Sequence, residues 1–108
     1  MDHLADIKKY APAPDLAAVT GMSKSYALVM SKPDTKWVAA SDPVELQRVV
    51  DNFLKKKLGR KEDGAALMAS CKAIGEKMKA DRNKSRIVFY YLLAEHYGQL
   101  AMFHPKAK

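Results

Sequence analysis

Ile87-Val88-Phe89-Tyr90-Tyr91-Leu92-Leu93-Ala94 is the longest wholly apolar run in the chain, and it continues as Glu95-His96-Tyr97. Read alone, its first five residues are strand-like, because β-branched and aromatic side chains favour a pleated surface. A run without polar residues has no readable period, so length and context must decide. The continuation through Leu92 to Tyr97 favours helix, and no second convincing strand exists to pair with the run. A helix that is apolar nearly all round belongs at the centre of a bundle. Spanning a bilayer takes about 20 such residues, so this segment reads as core and not as a membrane anchor.

Working outward, the residues before the run read as covers for it. Gly64 to Lys79 forms a helix capped by Asp63, with Leu67, Cys71, Ile74 and Met78 on its buried line. Upstream, Ser41-Asp42-Pro43-Val44-Glu45 is the clearest helix start. With Asp42 as cap, Pro43 takes the first helical position and Glu45 the third, which is the capping-box spacing. Leu46, Val49, Val50, Phe53, Leu54 and Leu58 follow as one stripe, and Gly59 is the left-handed stop. Asp15 caps an earlier helix with Leu16, Val19, Met22, Tyr26, Val29 and Met30 at helical spacing, and Gly21 puts its continuity in question. A first short helix over residues 2–10 carries Leu4 and Ile7 and is stopped by Pro12 and Pro14. Trp37, the only tryptophan, is expected to plug the core from a linker. The fold expected is all-α: a compact bundle of about five helices around an apolar C-terminal one. Residues 1–108 form a single domain, with 1–14 and 104–108 loosely attached.

Two stretches together are familiar. Ser41-Asp42-Pro43-Val44-Glu45-Leu46, running on to Asn52-Phe53-Leu54-Lys55-Lys56-Lys57-Leu58-Gly59, is the first. Lys84-Ser85-Arg86-Ile87-Val88-Phe89-Tyr90-Tyr91-Leu92-Leu93-Ala94-Glu95 is the second, preceded by Met78 to Asp81. Both resemble the signature of a small bacterial family of uncharacterised conserved proteins, a domain of unknown function. The resemblance covers residues 41–97, implies a bacterial, compact helical domain, and assigns no catalytic residue.

Charge is distributed unevenly. Residues 1–54 carry six Lys/Arg against seven Asp/Glu, and residues 55–108 carry thirteen against five, so the balance moves from −1 to +8. Such a half is either a solvated surface or a face for phosphates. The candidate anion or nucleic-acid contacts are Lys55, Lys56, Arg60 and Lys61 in one cluster, and Arg82, Lys84 and Arg86 before the apolar run. The second cluster sits at a helix start, where cations oppose the dipole and need compensation. No recognition-helix, zinc-finger or RNA-binding aromatic pattern accompanies either one.

The residues that carry enzyme chemistry are sparse. Cys71 is the single cysteine, which excludes an internal disulfide and suits a reducing cytoplasm. It lies on an apolar helical stripe, where a thiol is core and not nucleophile. His3, His96 and His104 are too dispersed for a metal-ligand spacing, and no phosphate loop or nucleophile elbow occurs. No metal, cofactor, membrane segment or secretion signal is expected. The leading expectation is therefore a cytoplasmic, non-enzymatic interaction or structural module. It is expected to form a homodimer or bind another protein through Tyr97, Met102 and Phe103. The alternatives are a nucleic-acid-associated accessory protein using the basic second half, and a small anion-binding protein or enzyme working from Asp81, Arg82 and His96.

Overall fold

The computed structural model describes residues 3–32, 36–39, 41–79 and 84–104. Their order is α1 (His3–Lys8), α2 (Leu16–Ser25), α3 (Ala27–Met30), β1 (Trp37–Val38), α4 (Pro43–Val49), a π-helical continuation (Val50–Lys55), α5 (Gly64–Lys77), β2 (Lys84–Ser85), α6 (Arg86–His96) and a closing 3₁₀ turn (Leu100–Phe103). The architecture is all-α apart from one small pair of strands, β1 and β2. The apolar run forms helix α6, and all eight residues from Ile87 to Ala94 are buried. Helices α1, α2 and α5, the strand pair and the 3₁₀ turn all pack against α6.

Three helices start where a carboxylate replaces a missing intrahelical acceptor. Asp15 accepts from the Ala18 amide at 3.1 Å, Asp42 from the Val44 amide at 2.9 Å, and Asp63 from the Ala66 amide at 2.9 Å. The end of α6 is a Schellman motif: Gly98 adopts φ 67° and the Gln99 amide donates to the Ala94 carbonyl at 2.8 Å. Gly59 also takes a positive φ, 69°, after the π segment, where the Arg60 amide donates to the Leu54 carbonyl at 2.9 Å.

Several expectations are corrected. Trp37 does not plug the core: it is 37% exposed, while its neighbour Val38 is buried at 4%. The two residues belong to a strand, so they face opposite ways, and pairing of Trp37 with Ser85 and Val38 with Lys84 fixes which one goes in. The Trp37 ring lies under the Lys36 ammonium, 4.8 Å from the ring centroid. Glu45 does not close a capping box, because the Asp42 amide already donates to the Ala39 carbonyl at 3.0 Å. The helix from Pro43 is not uniformly α either. Its apolar positions fall at 46, 49/50, 53/54 and 58, a widening interval that the π turn absorbs, so that Leu46, Val49, Val50, Phe53, Leu54 and Leu58 are all buried. Leu16 stands 59% exposed, off the buried face of α2. In the N-terminal segment, Ile7 and Ala11 belong to the core and α1 packs on α6. The side chains of Leu4 and Val29, and residues 105–108, lie outside the described residues.

Gly21 does not break α2, and its reason is steric. A Cβ built there would lie 1.5 Å from the Phe103 carbonyl oxygen, so the 3₁₀ turn rests directly on the helix backbone. Glycine in a helix interior normally costs about 1 kcal/mol against alanine, and here the close approach outweighs that gain. Gly21→Ala should therefore destabilise by about 1–3 kcal/mol, the usual cost of overpacking. Gly64, with nothing within 4 Å of a built Cβ, should accept alanine without loss. Urea denaturation of the two variants checks the contrast, and an equal effect at both positions would contradict it.

Candidate functional site

The polar residues of the second half fall into three groups, and the first is centred on Arg86. This residue opens α6, and its side chain is only 12% exposed. Its guanidinium donates to the Glu45 carboxylate at 2.7 Å, to the Tyr90 hydroxyl at 3.0 Å and to the Trp37 carbonyl at 3.4 Å. Tyr90 in turn stacks on Phe53, with centroids 4.0 Å apart, and meets Tyr26 edge-on at 5.3 Å. Burial pushes the Tyr90 phenol up, opposed by the guanidinium beside it. A cation at a helix start opposes the dipole, and Glu45 supplies the compensation from α4. One side chain thus joins α4, β1 and α6.

The second group is a clasp around Arg60. It forms a two-point ion pair with Glu62, donates to the Gln99 side-chain oxygen at 3.0 Å, and lies over the Tyr97 ring at 4.4 Å. The Arg60 hydrogen bonds hold the Glu62 carboxyl down at about 2. Gln99 donates onward to the Leu58 carbonyl at 2.9 Å, and the Tyr97 hydroxyl meets Ser70 Oγ. Tyr97 is accordingly half-buried and engaged within its own chain.

The third is a cleft of about 520 Å³ lined by Ser41, Pro43, Leu46, Lys72, Gly75, Glu76, Lys79 and Lys84. It opens between the start of α4 and the second half of α5, with β2 at its edge. Lys72 and Glu76 share one face of α5 because they are four residues apart, and Lys79, two residues past the end of the helix, lies 3.5 Å from Glu76. Lys84 reaches the cleft from β2, half-buried.

The cations expected to act together are therefore dispersed. Lys55, Lys56 and Lys61 are exposed, as is Lys57, whose ammonium lies 5.5 Å from the Phe103 ring centroid. Lys55 also lies 3.9 Å from Asp51. They sit at the far end of the α4–π helix from the cleft, on the order of 15–20 Å away at helical rise. Arg60 and Arg86 are committed to carboxylates. Arg82 and Asp81 lie outside the described residues, as does the side chain of His3. Of the expected contact residues, Met102 is 44% exposed, but Phe103 is buried at 5% and stacks against Phe53. Phe103 is core because the 3₁₀ turn folds back over Gly21.

Residues with potential for covalent or acid–base chemistry are held in structural roles. Cys71 is fully buried, and burial pushes its thiol up to about 12. His104 Nε2 lies 2.6 Å from Asp15 Oδ2, and this contact holds the Asp15 carboxyl below its ordinary value. The Asp15 amide donates to the Tyr91 hydroxyl at 2.8 Å, which ties the start of α2 to α6. His96 is exposed, its ring edge-on to Tyr97 at 4.9 Å. Among the described residues, no three His, Cys, Asp or Glu side chains come together as a metal-ligand set.

Sequence reasoning missed Lys72, Lys79, Ser41 and Leu46 as neighbours. The four-residue spacing of Lys72 and Glu76 was the available signal, since it places them on one helix face, and Lys79 follows past the helix end.

These features define a small all-α domain with a buried ion-pair hub and a lysine-rimmed cleft. The chain belongs to the family of proteins of unknown function DUF2853, whose profile matches residues 2–101. The comparison with curated proteins returns no match.

The Arg86 hub makes a quantitative prediction. Glu45→Ala should destabilise the fold by about 3 kcal/mol, because it leaves a mostly buried guanidinium without its carboxylate. The double replacement Glu45→Leu with Arg86→Met should recover most of that loss, since an apolar pair needs no compensation. Urea denaturation measures both. A loss below about 1 kcal/mol for Glu45→Ala, the range of an exposed pair, would show that the hub does not bind its elements together.

Proposed function

We propose that the chain is a bacterial, cytoplasmic, non-enzymatic interaction module whose first partner is a second copy of itself. The observation that carries this reading is the surface around the Arg86 hub. Trp37 is 37% exposed and Val44 60% exposed, and the guanidinium binds the Trp37 carbonyl and the carboxylate of Glu45, the residue after Val44. Leu28, 70% exposed, stands two residues after Tyr26, whose ring packs against Tyr90 of the same hub. An aromatic anchor beside aliphatic side chains and an arginine is the composition of an interface centre.

Other observations support the remaining parts. The buried, weakly acidic Cys71 suits a reducing compartment and a structural role. Among the described residues, no helix is long and apolar enough to cross a membrane. Against the nucleic-acid reading, Arg60 and Arg86 are held in intramolecular pairs with Glu62 and Glu45.

Sedimentation velocity across a wide concentration range tests the proposal. The wild-type chain should shift from monomer to dimer. Val44→Glu and Trp37→Ala should remain monomeric while keeping the wild-type helical circular dichroism, because both positions are exposed. A chain that stays monomeric throughout, or variants that dimerise like the wild type, would overturn it.

A further inference from the structure

The described methionines are not equally accessible. Met22, Met30 and Met78 are buried and Met68 is half-buried, whereas Met102 stands 44% exposed on the closing 3₁₀ turn. Its sulfur already faces a donor, since Gln99 Nε2 lies 3.9 Å from Met102 Sδ. The other partners of Gln99 fix which way its amide points. Arg60 can only donate, so it faces the Gln99 oxygen at 3.0 Å, and the Leu58 carbonyl can only accept, so it faces the nitrogen at 2.9 Å. One amide hydrogen thus goes to Leu58, and the second is left with a thioether, a weak acceptor. We infer that Met102 is an oxidation site for hydroperoxides, and that its sulfoxide oxygen becomes the strong acceptor that the Arg60–Gln99 clasp lacks.

The step is a two-electron oxygen transfer. A sulfur lone pair attacks one oxygen of hydrogen peroxide, the O–O bond breaks and an S–O bond forms. The departing hydroxide takes the proton from the transferred oxygen and leaves as water, so sulfur is oxidised and the peroxide reduced. Sulfoxidation ordinarily disrupts a core, because a flexible apolar side chain becomes polar. Met102 is exposed and its sulfur faces an amide hydrogen, so here the new oxygen meets a partner. The same turn carries Phe103, which is buried, stacks against Phe53 and rests over Gly21. The sulfoxide therefore adds a link between this turn and the clasp that already joins Leu58, Arg60 and Gln99, and the modification fastens the turn instead of loosening it. The inference uses no residue of the self-association surface, so either can fail without the other.

The test treats the folded full chain with hydrogen peroxide and follows each methionine by peptide mass mapping. Met102 should oxidise faster than Met68, and at least about tenfold faster than the buried Met22, Met30 and Met78. The urea midpoint of the chain oxidised at Met102 alone should rise above that of the unoxidised chain, and the Gln99 side-chain amide resonances should shift. Met102→Leu should abolish the fast phase. In Gln99→Leu, Met102 should oxidise as fast, but its sulfoxide should no longer raise the midpoint; comparing oxidised with unoxidised chain of the same variant removes the variant's own loss. The wild-type midpoint and resonances decide the matter even where Gln99→Leu does not fold. A Met102 rate no higher than that of Met68 or within tenfold of the buried methionines, an unchanged or lower wild-type midpoint on oxidation, unmoved Gln99 side-chain resonances, or the same rise in Gln99→Leu would each overturn the assignment.

Discussion

Helix α6 has no solvated face along Ile87–Ala94, and each of those residues must find an apolar neighbour. Most helices in small domains present one stripe to the core and one to water. Here the central helix needs cover on every side, and α1, α2, α5, the strand pair and the 3₁₀ turn supply it, with Phe53 of the π segment stacking on Tyr90. Each apolar side chain so covered contributes at about 25 cal/mol per Å² of surface removed from water.

A fully enclosed helix creates a difficulty at its own first turn, where free amides meet apolar surroundings. Ser85, at the cap position, makes no side-chain capping bond. Arg86 stands in the same turn with its charge opposed to the helix dipole, and Glu45 answers it from α4. The guanidinium also takes the Trp37 carbonyl, so the strand pair is held against the same point. Function as proposed grows from this arrangement: the hub leaves Trp37 and Val44 outside, while the cleft opens between α4 and the second half of α5, beside Lys84 of β2. The surface features are consequences of how the helix start is covered.

Much of this was legible in the residues. Asp15, Asp42 and Asp63 announce helix starts because a carboxylate is what unpaired amides require, and Gly59 announces a stop because left-handed backbone favours it. The central helix was readable from the lack of polar positions in 87–94 together with the lack of a partner strand. What escaped was long-range. Glu45 looked like a capping-box residue because its local spacing fitted one, and only the fold brings Arg86, forty-one residues later, to within 2.7 Å. Trp37 looked like core by residue type, but the alternation of a two-residue strand gave the inside to Val38. The cleft was half-visible at best: Lys72 and Glu76 share a helix face by spacing, while nothing local places Ser41 and Leu46 opposite them.

The central claim is that α6 is enclosed on all sides and opens only when the whole domain does. Native-state amide hydrogen exchange measures this directly, because segments that open locally exchange faster than those released by global unfolding. The amides of Tyr90 to Ala94 should exchange slowest in the chain, with an opening free energy equal to that of global unfolding by urea. If those amides exchange through a lower-energy opening while α2 or α5 stays protected, α6 is a peripheral helix in solution and the account of this fold is wrong.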